Sequence, residues 1–322
     1  MADCPRTRQL LPTALRGQLL RDMQHWPPRS ITSALLLRAH AIENDVRAAV
    51  AIVNGSVFWL RPQGNRNNLL TALVHDLVDL CDHYAVPDVE LHLNVFDEPA
   101  VPLGGEALPT PIFSFFQTRA AADLLVPTSY FRTLGFDRLL QRLQSPPPWD
   151  GRRNAALWRG TLFCGPNRFL VCSRAAVAHL SAQWASPLLD VKFTTYDPKH
   201  DPYTRADSPE DAAKVGLRPP KPLQVGSRVS MAEHAQWRYL VHLDGFTAAS
   251  RLGSLLATGA AVLKQDSYFW EYAPPTSLGL CPPLLTARGA TWQVLALGAH
   301  AATALSPVLG GRARRPQACT HK

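Results

Sequence analysis

The chain has 322 residues, 46% of them hydrophobic and 18% charged, which is enough to bury a large core and lies outside the composition of a disordered segment. Its 33 basic residues against 25 acidic ones give a formal charge of +8, which suits an anionic partner (a nucleotide-sugar, a nucleic acid or a membrane surface) and is equally compatible with an arginine-rich coding bias. No apolar run reaches the roughly eighteen residues a membrane span needs; the nearest, 290–309, is interrupted by Gln293, His300 and Ser306.

Residues 1–21 carry several arginines and a single acid, Asp3, with no apolar core of signal-peptide length; they faintly resemble an organelle transit segment and read more simply as a domain start. Residues 66–84 place apolar side chains three and four apart, which predicts a helix, and 89–95 alternates strictly, which predicts a strand. A proline- and glycine-rich loop covers 99–111, a short apolar strand 112–116, and a helix 136–143. Ser145-Pro146-Pro147-Pro148-Trp149-Asp150-Gly151 is stiff by composition and is the expected linker between an N-terminal domain, 1–148, and a second domain, 149–274. A strand–turn pattern restarts at 155–160, and a polar, proline-rich loop covers about 197–222. Residues 239–243 alternate like a strand and run into Asp244-Gly245. From Thr247, apolar residues recur at Ala248, Leu252, Leu255 and Leu256, a helical spacing that sets Arg251 one turn inside the helix, before a second strand at 261–263. After Glu271 no Asp or Glu occurs, so 275–322 reads as an atypical tail for which disorder is one reading.

Six cysteines show no Cys-x-x-Cys pair; lumenal disulfides and buried thiols both fit. Eleven histidines show no His-x-x-x-His spacing, and no Asp-x-Asp, Gly-x-Ser-x-Gly, P-loop or His-Glu-x-x-His element occurs, so no metal ligands and no cofactor are expected. A helix opening on the carboxyl side of a parallel strand aims free N–H groups and a positive dipole end at one spot, and an arginine adds a planar fork for phosphate oxygens. The 239–263 unit has that form.

Tyr239-Leu240, Leu243-Asp244-Gly245, Ala248-Ala249, Arg251-Leu252 and Val262-Leu263-Lys264-Gln265-Asp266-Ser267 together resemble the signature of glycosyltransferase family 90, which holds the protein O-glucosyltransferases, the KDEL-motif-containing relatives and the fungal capsule-associated proteins. The similarity covers roughly 70–274, with gaps around 130–150 and 175–230. It implies an α/β, GT-B-like fold: two Rossmann-like lobes with the nucleotide-sugar site between them, the second lobe incomplete on one reading. It also implies an inverting, metal-independent transfer of glucose or xylose from UDP-glucose or UDP-xylose to a hydroxyl of a protein or glycan acceptor, in the endoplasmic reticulum or Golgi lumen.

The resemblance assigns roles by position. Leu93-Asn94-Val95-Phe96-Asp97-Glu98-Pro99 is similar to the first-lobe motif that holds the catalytic base, which makes Asp97 the group that takes the acceptor proton; an Arg commonly precedes this Asp, and here Phe96 stands there. Without the resemblance, Asp97 reads as a loop Asp capping a turn. Trp158-Arg159-Gly160 resembles Phe-Arg-Gly at the start of the nucleotide lobe. Donor contacts are thereby expected from Arg159, Gly160, Thr161, Arg168, Asp244, Gly245, Arg251, Lys264, Gln265, Asp266 and Glu271, with Asp123 at the donor sugar. Arg251 would stabilise the charge that builds on the β-phosphate as UDP leaves. Two other readings stand beside this one: a truncated family remnant that binds carbohydrate or nucleotide without transfer, and a nucleic-acid binder resting on charge alone.

Overall fold

The computed structural model describes residues 13–26, 31–32, 34–36, 47–61, 67–104, 111–133, 135–163, 172–197, 223, 225–265, 267–271, 284–287 and 290–295. The chain divides into two compact units, Met1–Leu134 with Tyr268–Leu280, and Gly135–Ser267 with Cys281–Lys322. Both are α/β, each with a mixed sheet that contains parallel strands.

In the first unit, α1 (Thr13–Met23) precedes a hairpin of β1 (Arg47–Val53) and β2 (Ser56–Arg61). Asn54 and Gly55 between them have φ of 48° and 73°, the positive-φ pair that two-residue hairpins favour. Then follow α2 (Asn67–His83), β3 (Val89–Asn94), β4 (Ile112–Ser114), β5 (Phe116–Thr118), β6 (Leu124–Leu125) and the single turn α3 (Tyr130–Thr133). The predicted helix at 66–84 and strand at 89–95 thus form within a residue or so of their expected bounds. The expected strand at 112–116 is instead two strands broken at Phe115: β4 stays in the five-stranded sheet, ordered β2-β1-β3-β4-β6, while β5 pairs with β11 (Phe269–Glu271). β3, β4 and β6 are mutually parallel, and β1 and β2 add antiparallel at the other side.

Trp26 seals one end of this sheet: its indole N–H donates to the Ala122 carbonyl at 3.0 Å, and its ring packs with Val101, Ile112 and Leu124. Asp22, on α1, is buried and accepts from the Leu125 amide at 3.3 Å, tying the helix to β6. Burial raises its carboxyl from 3.8 to about 6, against smaller opposing effects of the Leu125 amide and Arg21. A carboxyl that holds its proton more tightly folded than unfolded costs stability as pH rises from about 4 to 6, with a constant penalty above that. Asp22→Asn keeps the acceptor for Leu125 without the charge. It is expected to be more stable than the parent near neutral pH by up to about 3 kcal/mol, the gap closing toward about pH 4; urea midpoints at the two pH values check this.

The second unit opens on α4 (Phe136–Arg142), continues through β7 (Arg153–Thr161), α5 (Ser173–Trp184), β8 (Leu189–Thr195), β9 (Trp237–His242), α6 (Leu252–Ala257) and β10 (Ala261–Gln265), and ends in β12 (Leu284–Ala287) and β13 (Ala290–Leu295). The division at 134/135 precedes the proline run at 145–151 because Leu139 of α4 and its C-cap Leu143 bury on Ala235, with Ala257 packed alongside. The helix is therefore part of the second unit's core.

The tail differs from its sequence expectation. β13 pairs antiparallel with β10, and β12 with β13, so 284–287 and 290–295 extend the sheet instead of lying outside the domain. Val262, Leu263, Lys264 and Gln265 would otherwise present an open row of backbone donors and acceptors, which the hairpin satisfies. The full order is β12-β13-β10-β9-β7-β8, with β8, β7, β9 and β10 parallel.

One face of this parallel core carries Ala156 and Trp158, Val191 and Phe193, Tyr239 and Val241, and Ala261 and Leu263, each pair two residues apart, under Ala175 and Ala178 of α5. The intervening Leu157, Leu240 and Val262 are buried too. Burial on both faces is what an inner parallel sheet requires. The chain leaves β7 for β8 on one side and reaches β9 on the other, so the order reverses between β7 and β9. In open α/β sheets, ligands bind outside the carboxyl ends of the strands at such a reversal.

Candidate functional site

The carboxyl ends of β7 and β9 carry Arg159-Gly160-Thr161 and His242-Leu243-Asp244-Gly245, so the strand–glycine motifs singled out in the sequence meet at the reversal point. β10, parallel to β9, brings Lys264 opposite His242 and ends on Gln265.

The element after Asp244 is not the helix expected from the spacing. Residues 245–251 form a bent loop, and α6 begins only at Leu252, with Arg251 as its N-cap at φ −90° and ψ 1°. The helix is six residues long, so its dipole is not the source of an anion site. The periodic apolar residues deceived the reading because Ala248 is buried from a loop, where burial needs no helix. The helix that does open beside these residues is α5, whose Ser173 accepts from Gln265 Nε2 at 2.7 Å; Gln265 Oε1 in turn accepts from the Asp244 amide at 3.3 Å.

Arg251 reaches back across the loop, donating from Nη1 to the Arg159 carbonyl at 2.5 Å. Its guanidinium lies 5.4 Å from the centre of the Trp158 ring, and Nε and Nη2 are buried without a hydrogen-bond partner. Arg174, which the sequence reading missed, occupies the first turn of α5. It lies 5.8 Å from the same ring, donates from Nη1 to the Thr161 carbonyl at 3.2 Å, and leaves Nε unpartnered. Burial lowers both guanidinium groups to about 10; Arg174 adds to the effect on Arg251, while Asp244 opposes it on Arg174. Two desolvated cations in mutual repulsion, with donors unused, make a spot that favours an anion. The signal that would have found Arg174 is topological: the first turn after the first strand of a parallel unit is where such folds bind phosphate.

Two glycines make room for this arrangement. A Cβ on Gly160 would lie 2.6 Å from the Trp158 ring, because residues two apart share a strand face and the indole lies along the chain. A Cβ on Gly245 would lie 2.7 Å from Arg174 Nη2, so any side chain there would displace the cation.

Arg159 is differently committed. It is buried and ion-paired, Nη2 to Asp190 Oδ2 at 2.7 Å, and Nη1 donates to the Asp190 carbonyl at 2.8 Å; only its Nε lacks a partner. Asp190 is itself held below its ordinary value: burial pushes it up, but Arg159 and Lys192 prevail. Asp244 is pushed up by burial against a Ser267 hydroxyl donating to Oδ2 and the nearby Lys264 and Arg174, and its Oδ1 is unpartnered. His242 is fully buried, and burial, Lys264 and the two arginines lower it to about 3, so it adds no charge. Its Nε2 must carry the proton, since it contacts the Ala249 carbonyl at 2.9 Å; the bond pins the loop that delivers Arg251.

Of the other expected donor residues, Thr161 is exposed at the end of β7, and Glu271 lies on β11, in the first unit rather than the second. Arg168 and Asp266 lie outside the described residues. Cys172, just before α5, is disulfide-bonded, whereas Cys81 is a free thiol. No described helix is long and apolar enough to cross a membrane.

In the first unit Asp97 sits in the bend just past β3, at the carboxyl end of a parallel strand, and is partly exposed. Asp123 is 0% exposed, and its carboxylate accepts from the Ala100 and Val101 amides at 2.7 and 2.9 Å and from the Ser114 hydroxyl at 2.5 Å. The expected sugar contact thus meets a carboxylate with no surface toward solvent.

The profile of glycosyl transferase family 90 matches residues 12–276, which takes in Asp97, the β7–β9 reversal point and Arg251. Among curated proteins, the chain is 26% identical over 205 residues to protein O-glucosyltransferase 2 of Danio rerio, covering 61% of this chain and 36% of that protein. It is 23% identical over 288 residues to protein O-glucosyltransferase 3 of Homo sapiens, covering 84% and 52%. With O-glucosyltransferase rumi of Drosophila melanogaster the identity is 22% over 203 residues, covering 58% and 44%. The chain therefore spans between 36% and 52% of the length of these relatives. A match over most of the sequence gives the conclusion that the chain belongs to glycosyl transferase family 90.

Proposed function

We propose that the protein is an inverting glycosyltransferase that moves glucose or xylose from a UDP-sugar to a hydroxyl of a protein or glycan, with a GT-B-like division of labour between its two units. The observation that carries the reading is the pair of buried, under-partnered guanidinium groups of Arg251 and Arg174 at the β7–β9 reversal point. A diphosphate supplies what they lack: negative charge and acceptors for the unused donors. As UDP departs, charge builds on its β-phosphate, and fixed cations in a desolvated site stabilise it without a metal ion. Arg159 holds Asp190 and contributes through its Nε, while Asp244, Lys264 and Gln265 face the remainder of the donor.

Asp97 is the base in this reading. Inversion needs one carboxylate to take the acceptor proton as its oxygen attacks the anomeric carbon, unlike hydrolysis by a carboxylate pair. The names of the three relatives, all O-glucosyltransferases, support glucose and a hydroxyl acceptor; the Cys172 disulfide supports an oxidising compartment such as the secretory pathway.

The test is a thermal-shift titration with UDP beside measurement of UDP release and sugar transfer from UDP-glucose and UDP-xylose. UDP is expected to raise the melting temperature in a saturable manner, and one of the two donors to turn over. Binding without turnover of either donor would favour the non-transferring relative instead. No binding at all would remove the nucleotide reading.

A further inference from the structure

The loop that carries Asp97 is held by an Asx turn from Asn94 and by side chains beneath it. Asn94, fully buried at the end of β3, accepts from the Phe96 amide at 3.0 Å and donates to the Glu98 carbonyl at 2.7 Å, so it grips the chain on both sides of Asp97. The same Nδ2 donates to Ser114 Oγ at 3.1 Å. Because that hydroxyl oxygen receives a proton there, its own proton points to Asp123 Oδ1. Asp123 then takes the Ala100 amide on Oδ1 and the Val101 amide on Oδ2. Its position is fixed in turn by Gln117, whose Nε2 donates to the Asp123 carbonyl at 2.7 Å. Backbone bonds from Leu103 to Ala120 and from Ala122 to Val101 close the far side.

From this network we infer that Asp123 is a positioning residue for Asp97: with Ser114 and Asn94 it clamps residues 94–101 so that the carboxylate beyond β3 is presented at one place. The inference rests on reading Asp97 as the base. A carboxylate is required at position 123 because every group facing it is a donor, two on one oxygen and one on the other. An amide offers a single acceptor oxygen and would set its own N–H₂ against one of those donors. Asp123 is therefore connected to the reaction through the loop, not through contact with sugar. Its failure should leave the donor site of the other unit untouched.

The experiment uses the full chain with UDP-glucose as donor, UDP release as the activity readout, UDP titration for affinity and hydrogen exchange at the Ala100 and Val101 amides. Asp123→Asn is expected to speed exchange at both amides and lower kcat by about 10–100-fold, the scale of a displaced catalytic group, with UDP affinity and donor KM unchanged. Ser114→Ala, which removes one of the three donors, is expected to do the same more weakly and covers the case in which Asp123→Asn does not fold. A double variant, Asp97→Asn with Asp123→Asn, should lose no more activity than Asp97→Asn alone, since a positioning residue has nothing left to position. Unchanged kcat in Asp123→Asn or Ser114→Ala despite faster exchange overturns the inference, as does an additive loss in the double variant. So does a fall in UDP affinity that tracks the fall in rate. Asp97→Asn that still turns over would instead strike at the base assignment itself, and would do so whatever the exchange data show.

Discussion

Asp97→Asn is expected to reduce transfer from the UDP-sugar by about 10²–10⁴-fold while UDP binds as before. The substitution is close to isosteric, so Asn94, Ser114 and Asp123 retain their grip on the loop and the side chain stays where it is. The capacity to take a proton is lost. UDP affinity should be unmoved because the cationic cluster belongs to the other unit's sheet, built on β7, β9 and α5. Isothermal titration with UDP beside initial rates of transfer separates the two quantities. A parallel loss of affinity and rate would show that the residue supports the fold, and the base would have to be sought elsewhere.

Arg251→Ala is expected to weaken UDP binding by about 1.5–3 kcal/mol, the cost of a charged hydrogen bond, which is roughly tenfold to a hundredfold in Kd. Arg174→Ala should fall in the same range, because its fork faces the same spot beside Trp158. The ligand-free protein should respond in the opposite sense. Each arginine lies desolvated, and Arg251 is further disfavoured by Arg174, so removing either relieves a penalty and is expected to leave apo stability unchanged or raised. Arg251→Lys keeps the charge but not the planar fork, and should fall between parent and alanine variant. Unchanged UDP affinity in both alanine variants would remove the pair from the site, and a large loss of apo stability would mark them as structural.

These expectations share one physical basis. On the proposed reading, cations held desolvated carry unfavourable electrostatics that a bound diphosphate offsets. His242 serves the same end by staying neutral: a protonated imidazole beside Lys264 and two arginines would raise the cost further, and its neutral N–H is what fixes the Ala249 carbonyl and the loop behind Arg251. Gly160 and Gly245 serve it by absence, since a methyl group at either would collide with Trp158 or with Arg174.

Much of this was legible in the residues. Strict alternation at 89–95 and three–four spacing at 66–84 each point to one kind of element, and β3 and α2 formed there because burial of one face admits no other period. The 239–243 and 261–263 runs gave adjacent parallel strands, buried on both faces and bounded by glycine. The hairpin of β1 and β2 carries its own local signal in the turn pair Asn54-Gly55. Short-range pattern was insufficient at 247–256, where helical spacing turned out to be a loop followed by six helical residues, and at 112–116, where a kink at Phe115 divides one apolar run between two sheets.

The sequence by itself determined the strand at 89–95 with Asp97 just past it, and the strands that end on Arg159-Gly160 and run into Asp244-Gly245. Those properties depend on neighbours a few positions away, which the chain spells out. Tertiary structure alone decided the rest. It brought Arg174 from α5 to within reach of Asp244, turned Arg159 toward Asp190, placed Glu271 in the first unit with β5, and buried Asp123 under the Asp97 loop. Each of these depends on a partner from about twenty to more than a hundred and fifty positions distant. Whether a charge meets substrate, a counter-charge or a backbone amide is settled only when strands β7, β8 and β9, or β3, β4 and β6, take their places side by side.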